Sequence, residues 1–439
     1  MGAAKFAAIG AMLVFAAACG SQPSPVTPPA PPRPLIFIPG FLGSELVATA
    51  DANVTVLKLD GTSRTIALHA GEDVWPHFHV DDMGSLVQLA IDPDYYHVLM
   101  FDAAGQPLTS VIKPSGRMYV GPEGYPDAEA FFVSHGYRTG RDLFLFGWDF
   151  RYPTASQVAE LDTFVGRVLA QTGAASVDIV AHSGGAAVLR ELMRQPSSQQ
   201  RGKVAHAVLL SGVHLGTPKS LDTLILGKCL KDFLFVCVLP PEHIRFVTRT
   251  WPGAVEDAVL SNYYTFFQNQ SDGLHPLAYI SSGDFEQPPA DQFQYPYVRA
   301  IERSAGVSES LISAAEAFRQ TDLTWLASAL QTPAKITLAG GSGKCAMGQI
   351  RNWAGVQYVG VDGDTIVPRQ SAILGDGFAA EYATGLSAAN MSRLTVYVRP
   401  IEHGEFANDA GLPDVLEIVR HDSIRPGNIA ATDCRTFTP

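Results

Sequence analysis

The stretch that most constrains the fold is "VDIVAHSGGAAVLRELMR" (Val177–Arg194), where a strand pattern meets a helix pattern with no loop between them. Val177–Val180 is typical of a buried strand. The residues that then recur at helical spacing are Ala186, Leu189, Leu192 and Met193. So sharp a turn tolerates only small residues two positions before and after its centre, and Ala181 and Gly185 stand there around Ser183. The stretch therefore predicts a serine hydroxyl presented at the edge of a sheet, at the start of a helix.

Further strand-like segments alternate with helical ones along the chain. The strand candidates are Leu35–Ile38, Asp142–Phe150, Ala205–Gly212, Lys335–Gly341 and Leu394–Pro400. Ala155–Gly173 has helical spacing and ends at a glycine. This alternation predicts an α/β fold with a doubly wound, mostly parallel sheet that helices cover on both faces.

Two long segments, at about 48–131 and about 219–334, interrupt the alternation. Excursions of this length in a compact domain are usually lids or binding elements, so we expect an inserted cap on a single domain over residues 34–439. The second segment includes the very apolar Leu224–Pro241. An apolar cap beside an active site favours a substrate with an apolar body.

The N-terminus has the pattern of an export signal. Residues 1–19 combine Lys5, a short apolar run and small residues before Cys19. Their "AAAC" ending resembles the bacterial lipobox, which would make Cys19 the acylated first residue of a lipoprotein at the outer membrane or cell surface; cleavage after Ala18 without lipid is the alternative. Residues 20–33 are proline-rich and predict an extended spacer.

Charge and cysteine content narrow the class of protein further. The formal net charge is -12, which argues against nucleic acid as a partner. If Cys19 carries lipid, four cysteines remain in an exported chain, and an even number favours two disulfides. The sequence does not fix the pairing. The short loop favours Cys229–Cys237, which leaves Cys345–Cys434, and free buried thiols are the alternative.

A nucleophilic serine needs a histidine base and an acid that orients it, and in this type of fold the chain order is serine, acid, histidine. The turn "VGVDGDTIVP" offers Asp362 or Asp364, and we favour Asp364 because it directly precedes "TIVP". Only His403 and His421 follow. His403 comes just after a strand in a glycine-containing loop, whereas His421 ends a helical segment, so His403 is the better base.

The tetrahedral intermediate of such chemistry needs N–H donors for its oxyanion. One donor should be Gly184, the residue after the serine. The other should come from "PGFLG" after the first strand, from Leu42 or, less favoured, Phe41. We see no His, Cys or Asp cluster with metal-ligand spacing, so the sequence predicts neither a metal nor a cofactor.

Together these segments resemble the lecithin:cholesterol acyltransferase family of α/β-hydrolases, which includes bacterial and phospholipid:diacylglycerol acyltransferase relatives. "IFIPGFLGSEL" is similar to the family's oxyanion segment and implies the N–H of Leu42. "FGWDFRYP" resembles its Tyr-Asp-Trp-Arg motif, with Asp149 and Arg151 kept. "GDTIVP" resembles its acid loop and implies Asp364, and His403 matches its base. In "VDIVAHSGGA" glycine replaces the family's common methionine at position 184.

The resemblance implies a serine lipase, esterase or O-acyltransferase that forms an acyl-enzyme on Ser183 and passes the acyl group to water or a lipid alcohol, and the N-terminal signal predicts that it is exported. The expected partners are a lipid ester and a lipid surface, reached through the lid and the N-terminal anchor. Two alternatives stay open at this stage. One is a peptidase or amidase with the same three residues, and the other is a non-catalytic cell-surface binding protein on a hydrolase fold. The oligomeric state does not follow from the sequence.

Overall fold

The computed structural model describes residues 33–76, 92–119, 125–227, 232–233, 236–237, 240–268, 279–281, 295–321, 324–352, 356–374, 386–423 and 434. Within these ranges the central element is a six-stranded sheet. In spatial order its strands are Leu394–Arg399 (β16), Lys335–Gly341 (β13), Val204–Leu210 (β9), Val177–His182 (β8), Leu35–Ile38 (β1) and Leu143–Leu145 (β7). Every neighbouring pair is parallel.

Burial along the strands explains the parallel arrangement. All residues of β1 and β8 are buried, as expected of strands with helices on both faces. The predicted α/β-hydrolase class is therefore confirmed, and the carboxyl ends of β1, β8, β9, β13 and β16 meet at one edge of the sheet.

Smaller sheets contain the other described strands. They are Ser44–Ala48 (β2), Ala52–Leu57 (β3), Ser63–Leu68 (β4), Asp73–Trp75 (β5), Ile112–Met118 (β6), Asp232–Phe233 (β10), Val236–Cys237 (β11), Tyr279–Ser281 (β12), Lys344–Asn352 (β14) and Val356–Gly363 (β15). Strands β3 to β6 lie in the first predicted excursion, and β2 leads into it. Strands β14 and β15 form an antiparallel pair between β13 and the acid loop.

The described α-helices cover the sheet and build the insertions. They are Pro126–Ser134 (α1), Val158–Thr172 (α2), Gly184–Arg194 (α3), Pro218–Ile225 (α4), Pro241–Thr248 (α5), Pro252–Asp257 (α6), Ser261–Gln268 (α7), Tyr295–Ser304 (α8), Glu309–Arg319 (α9), Trp325–Ala329 (α10), Arg369–Ile373 (α11), Ala388–Met391 (α12) and Leu412–His421 (α13). Short 3-10 helices are Pro93–Leu99, Thr154–Gln157, Arg201–Lys203 and His403–Ala407. None of the helices in the described ranges is long and apolar enough to span a membrane.

Three predicted strands are shorter in the structure, and one of them, Leu394–Pro400, ends a single residue early at Arg399. The candidate Asp142–Phe150 is a strand only over Leu143–Leu145. Beyond Leu145 the chain leaves the sheet and runs beside the segment that follows β1. There the Trp148 indole donates to the Pro39 carbonyl at 2.8 Å, and the Trp148 amide donates to Ser44 Oγ at 2.9 Å. The candidate Ala205–Gly212 ends at Leu210, since Ser211 has a φ of 45° that breaks the extended backbone.

One disulfide lies within the described residues. Cys345 on β14 is bonded to Cys434 with an S–S distance of 2.06 Å. Cys229 and the side chain of Cys237 lie outside the described residues, so their pairing stays a prediction. Cys19, the signal segment and residues 20–32 also lie outside them.

Candidate active site

Ser183 occupies the turn between β8 and α3. Its φ of 53° and ψ of -127° are unusual for a residue with a side chain. The turn is held because the Ser183 N–H donates to the Leu210 carbonyl at 2.9 Å. A Cβ on Gly185 would lie 2.3 Å from the Pro39 carbonyl oxygen, so only glycine fits there. The predicted strained elbow is thus present in this backbone.

Asp364 and His403 are brought together at the same edge of the sheet. His403 Nδ1 lies 2.9 Å from Asp364 Oδ2, and the His403 backbone N–H donates to the Asp364 carbonyl at 2.7 Å. Asp364 follows β15 in the chain but lies against the end of β13, where a Cβ on Gly341 would lie 2.3 Å from the Asp364 Cβ. Residues that are 39 positions apart therefore form one pair.

The surroundings of Asp364 keep its carboxylate ionised. Burial alone would raise its pKa, but the adjacent His403 and the hydrogen bonds from His403, Ser211 and the Val367 N–H hold that pKa below the ordinary value. Oδ1 accepts the N–H groups of Ile366 at 3.1 Å and Val367 at 2.7 Å. The carboxylate is thus fixed in orientation and charge, and can hold the His403 imidazole in one tautomer.

His182 links the serine turn to the base. Its ring centroid lies 4.5 Å from that of His403, and its Nε2–H donates to the His403 carbonyl at 2.9 Å. Burial and the nearby His403 lower the pKa of His182 to about 3, so this ring is neutral at working pH. No hydrogen bond joins Ser183 Oγ to His403 within the described residues, where the ring contact and the hydrogen bond between the serine turn and the base are both made by His182.

Tyr125, His182 and Ser211 are site residues to which sequence reasoning gave no role. Since His182 Nε2 donates, its Nδ1 accepts the Tyr125 hydroxyl at 2.7 Å, and that hydroxyl accepts the Gly40 N–H at 2.7 Å. Ser211 Oγ donates to Asp364 Oδ2 and lies 3.2 Å from His403 Nδ1. The position of His182 beside Ser183 was a signal, but Tyr125 is 57 residues from His182 and no pattern in the sequence connects them.

The backbone beside Ser183 supplies N–H groups that could bind an oxyanion. Gly40 donates to Tyr125 and Gly43 to the Gly40 carbonyl, whereas the N–H groups of Phe41 and Leu42 donate to nothing in the described ranges. The Phe41 nitrogen lies 3.1 Å from the point where a Cβ on Gly184 would stand. Phe41 is therefore the residue of this turn that lies against Gly184. Leu42, the next residue, has a φ of 64°, in the left-handed region.

A carboxyl group from α6 faces the same place. Asp257 Oδ2 also lies 3.1 Å from the Cβ point of Gly184. The Asp257 side chain makes no hydrogen bond to the described part of the chain. Burial raises its pKa to about 6, against the opposing charges of Arg319 and Arg190. A side chain at position 184 would crowd this carboxyl group, so the position of Asp257 requires a glycine at position 184.

Asp149 and Arg151 form an ion pair at the junction between the sheet and the cap. Arg151 is fully buried and forms a bidentate pair with Asp149, with Nε at 2.9 Å and Nη2 at 2.6 Å from the carboxylate oxygens. The Arg151 carbonyl accepts the Gly253 N–H at 3.1 Å at the start of α6. The pair therefore anchors the junction between the sheet and the segment that carries Asp257.

The two rejected candidates have other surroundings. Asp362 accepts hydrogen bonds from Ser342 Oγ and the Gly343 N–H, both at 2.7 Å, and so joins the end of β15 to the connection between β13 and β14. His421 is exposed at the C-terminal end of α13. Neither lies in the group formed by Ser183, Asp364 and His403.

Comparison with known proteins agrees with the motifs. Residues 123–253 match the family model of lecithin:cholesterol acyltransferase. A curated relative, lecithin-cholesterol acyltransferase-like 4 of Arabidopsis thaliana, is 24% identical over 208 residues, which cover 44% of this chain and 36% of that protein. The chain thus spans about a third of the length of the curated relative that it matches. The predicted family resemblance is confirmed over this region, which includes Ser183 and ends before Asp364.

Two solved structures match the chain at low identity. The Tle4-Tli4 complex matches with a TM-score of 0.48 and 13% identity, over 89% of this chain and 99% of that chain. The propeptide form of Bacillus licheniformis lipase BlEst2 matches with a TM-score of 0.35 and 11% identity, over 93% of this chain and 55% of that chain.

Proposed function

The chain is an α/β-hydrolase that resembles lecithin:cholesterol acyltransferase, and we propose that it is an exported serine esterase. It would cleave lipid esters and pass the acyl group to water or to a lipid alcohol. The observation that carries this proposal is the Asp364–His403 pair, 2.9 Å apart, at the sheet edge where β8 ends in the strained turn of Ser183. A buried ionised acid, an oriented imidazole and a serine held at an elbow are what acyl transfer requires.

In the proposed first half-reaction, Ser183 Oγ attacks the ester carbonyl and His403 Nε2 takes the serine proton. Asp364 accepts the Nδ1–H of His403 and stabilises the cation that forms. The same proton then passes from His403 to the leaving alcohol, and an acyl-serine remains. In free enzymes the serine–histidine hydrogen bond is often long and shortens on substrate binding, which accommodates its absence here.

In the second half-reaction, His403 takes a proton from water or from an alcohol, whose oxygen attacks the acyl-serine. Collapse of the tetrahedral intermediate returns the proton to Ser183 Oγ and releases a fatty acid or a new ester. We assign the oxyanion to the N–H groups of Gly184 and Phe41, with Leu42 next to them, because Phe41 and Leu42 donate to no other group in the described chain.

The residues beside Ser183 support a substrate with an apolar body. Phe41 and Leu42 are only partly buried, and the Phe41 ring lies 5.3 Å from Phe150 and 6.3 Å from Trp251. Trp251 belongs to the inserted cap, so the cap and the oxyanion segment form one apolar wall. Such a wall favours an acyl chain over a peptide, which is the alternative substrate for the same three residues.

One experiment tests the reaction class. The purified protein is mixed with phospholipid vesicles that contain a sterol, and free fatty acid and sterol ester are followed together. The variants are Ser183→Ala and, as a matched control at an exposed serine, Ser110→Ala. Fatty acid alone, lost only in Ser183→Ala, identifies a lipase or phospholipase, and sterol ester lost in the same variant identifies an acyltransferase.

The same experiment distinguishes the non-catalytic alternative. Equal product from wild type and Ser183→Ala, or no product from wild type, would contradict the assignment to phospholipid esters. Vesicle binding without product would then favour a cell-surface binding protein.

The location forms a separate part of the proposal, supported by the N-terminal pattern alone. We place the protein on a bacterial membrane through lipid on Cys19, with the Pro-rich residues 20–33 as a spacer. Metabolic labelling with a fatty-acid analogue should mark the wild type and not Cys19→Ser, which should appear in the soluble exported fraction. Equal labelling of both would contradict the anchor.

A further inference from the structure

A second group of chemically active side chains lies where the first excursion meets the cap. Asp94 and His97 belong to the 3-10 helix Pro93–Leu99, and His243 belongs to α5. Each offers a ligand atom, and these atoms lie within 4.8 Å of one another. The His97 side chain is fully buried, and those of Asp94 and His243 are 16% and 11% exposed.

His97 is held in the tautomer that a metal ligand needs. Its Nδ1 lies 2.7 Å from the Leu57 carbonyl, which can only accept, so Nδ1 carries the proton. Nε2 is then unprotonated and points toward His243 Nδ1 at 3.0 Å. A backbone carbonyl that fixes the far nitrogen of an imidazole is the usual support of a metal-bound histidine.

Asp94 completes the group. Its Oδ1 lies 3.6 Å from His243 Nδ1 and 3.8 Å from His97 Nδ1, and its carboxylate makes no hydrogen bond to the described part of the chain. Asp92, two residues away, is in contrast fully used by a bidentate pair with Arg64 at 2.7 Å. A largely buried carboxylate that faces two imidazoles and makes no hydrogen bond within the described residues can serve as a third metal ligand.

We propose that Asp94, His97 and His243 bind a divalent zinc ion through the Asp94 carboxylate, His97 Nε2 and His243 Nδ1. Ligands bonded to tetrahedral zinc at about 2.0–2.2 Å lie about 3.3 Å apart. This is close to the 3.0 Å between His97 Nε2 and His243 Nδ1 and to the 3.6 Å between Asp94 Oδ1 and His243 Nδ1. Two imidazoles and one carboxylate suit zinc, whereas calcium and magnesium prefer oxygen ligands throughout.

The ion would be a structural metal that stabilises the position of the cap, and it would take no part in the ester chemistry. It would join α5 to the 3-10 helix, and His97 extends the connection to β3 through Leu57. The same interface includes Trp251, whose indole donates to the Leu99 carbonyl at 2.8 Å and whose ring contacts Phe41. Zinc would therefore stabilise the apolar wall beside Ser183.

The proposal differs from the sequence analysis, which predicted no metal. Sequence spacing does not reveal this group, because 146 residues separate His97 from His243. It does not rest on the proposed function, since its test measures metal binding and stability.

The test uses the purified protein after chelator treatment and dialysis. Zinc is titrated in competition with a chromophoric chelator, metal content is measured by mass spectrometry, and cobalt(II) provides a visible spectrum of the site. We expect one zinc per chain for the wild type and at least about tenfold weaker binding for Asp94→Asn and His243→Gln. His69→Asn is the control, because His69 is 77% exposed and distant in sequence from the group.

Thermal unfolding supplies a second readout that keeps the proposal testable if one variant folds poorly. Zinc should raise the melting temperature of the wild type and of His69→Asn in a concentration-dependent way, and should leave Asp94→Asn unchanged. Stoichiometric zinc binding that survives in Asp94→Asn and in His243→Gln, or its absence in the wild type, would overturn the proposal. The histidines would then be a neutral hydrogen-bonded pair.

Discussion

The carboxyl edge of the central sheet and the inserted segments around it are built on different principles. At the sheet edge, strand ends that lie next to each other in the topology bring Ser183, Asp364 and His403 together. In the insertions, single hydrogen bonds join segments that are distant in the sequence, such as His97 with His243 and Thr154 with Glu256. From this difference we expect substitutions at the sheet edge to act mainly on catalysis, and substitutions in the insertions to act mainly on stability and pH response.

The largest effect should come from the acid of the sheet edge. Asp364→Asn should lower kcat by about 10^4-fold, because the amide no longer holds His403 in the required tautomer. Asp362→Asn is the matched control two residues away. It should lose stability through the hydrogen bonds to Ser342 and Gly343 but keep kcat within a few-fold. Steady-state kinetics on a soluble ester measures both, and a larger loss in Asp362→Asn would move the acid to that residue.

A smaller effect is expected where an inserted residue supports the sheet edge. Tyr125→Phe leaves the Gly40 N–H and His182 Nδ1 without their shared partner in a buried place. Such a loss should lower the free energy of unfolding by about 1–3 kcal/mol. It should also lower kcat, because Gly40 precedes the oxyanion segment. Denaturant unfolding and steady-state kinetics measure the two effects. An unchanged free energy of unfolding and an unchanged kcat would show that the Tyr125 hydrogen bonds contribute to neither stability nor catalysis.

The cap residue next to the elbow should set a pH dependence. Asp257 has a pKa raised from 3.8 to about 6, so it is neutral below that pH and charged above it. A carboxylate near Gly184 would oppose a developing oxyanion. The ratio of kcat/KM for Asp257→Asn over wild type should therefore stay near one at pH 5 and rise several-fold above pH 6. A ratio that does not change with pH would mean that Asp257 faces away from the reacting atoms.

The smallest effect on activity should come from deep within the cap, at Glu302. Burial and the nearby Glu316 raise its pKa to about 8, against the charge of Arg299. The folded protein thus keeps a proton that the unfolded chain has released between pH 4.5 and 8, so stability falls as pH rises through this window. Glu302→Gln should gain stability over the wild type with increasing pH across that range, as measured by denaturant unfolding. An equal pH slope for the two proteins would contradict the raised pKa.

The sheet edge was predictable because local patterns specify it. Small residues around Ser183 and a glycine-containing loop after β16 are short-range features, and the order of serine, acid and histidine can be read along the chain without knowledge of contacts. Leu42 and Phe41 occupy one turn, so the choice between their N–H groups as the oxyanion donor stays a prediction, to which the structure adds that Phe41 N lies 3.1 Å from the Cβ position of Gly184.

The insertions were predictable only as insertions. Their length shows that they exist, but Tyr125, Asp257 and His243 acquire their surroundings from elements that are distant in the sequence. Hydrogen bonds between distant segments leave no periodicity, so neither the Tyr125–His182 contact nor the Asp94 group could be read from the sequence alone.

The central claim is that Ser183 is a nucleophile activated by His403, and covalent labelling tests it most directly. The protein is treated with a fluorophosphonate, and the modified residue is located by peptide mass spectrometry in wild type, Ser183→Ala and His403→Ala. The account predicts rapid labelling of Ser183 alone in the wild type, no labelling in Ser183→Ala and greatly slowed labelling in His403→Ala. Labelling of another serine, or labelling of Ser183 at an equal rate without His403, would contradict it.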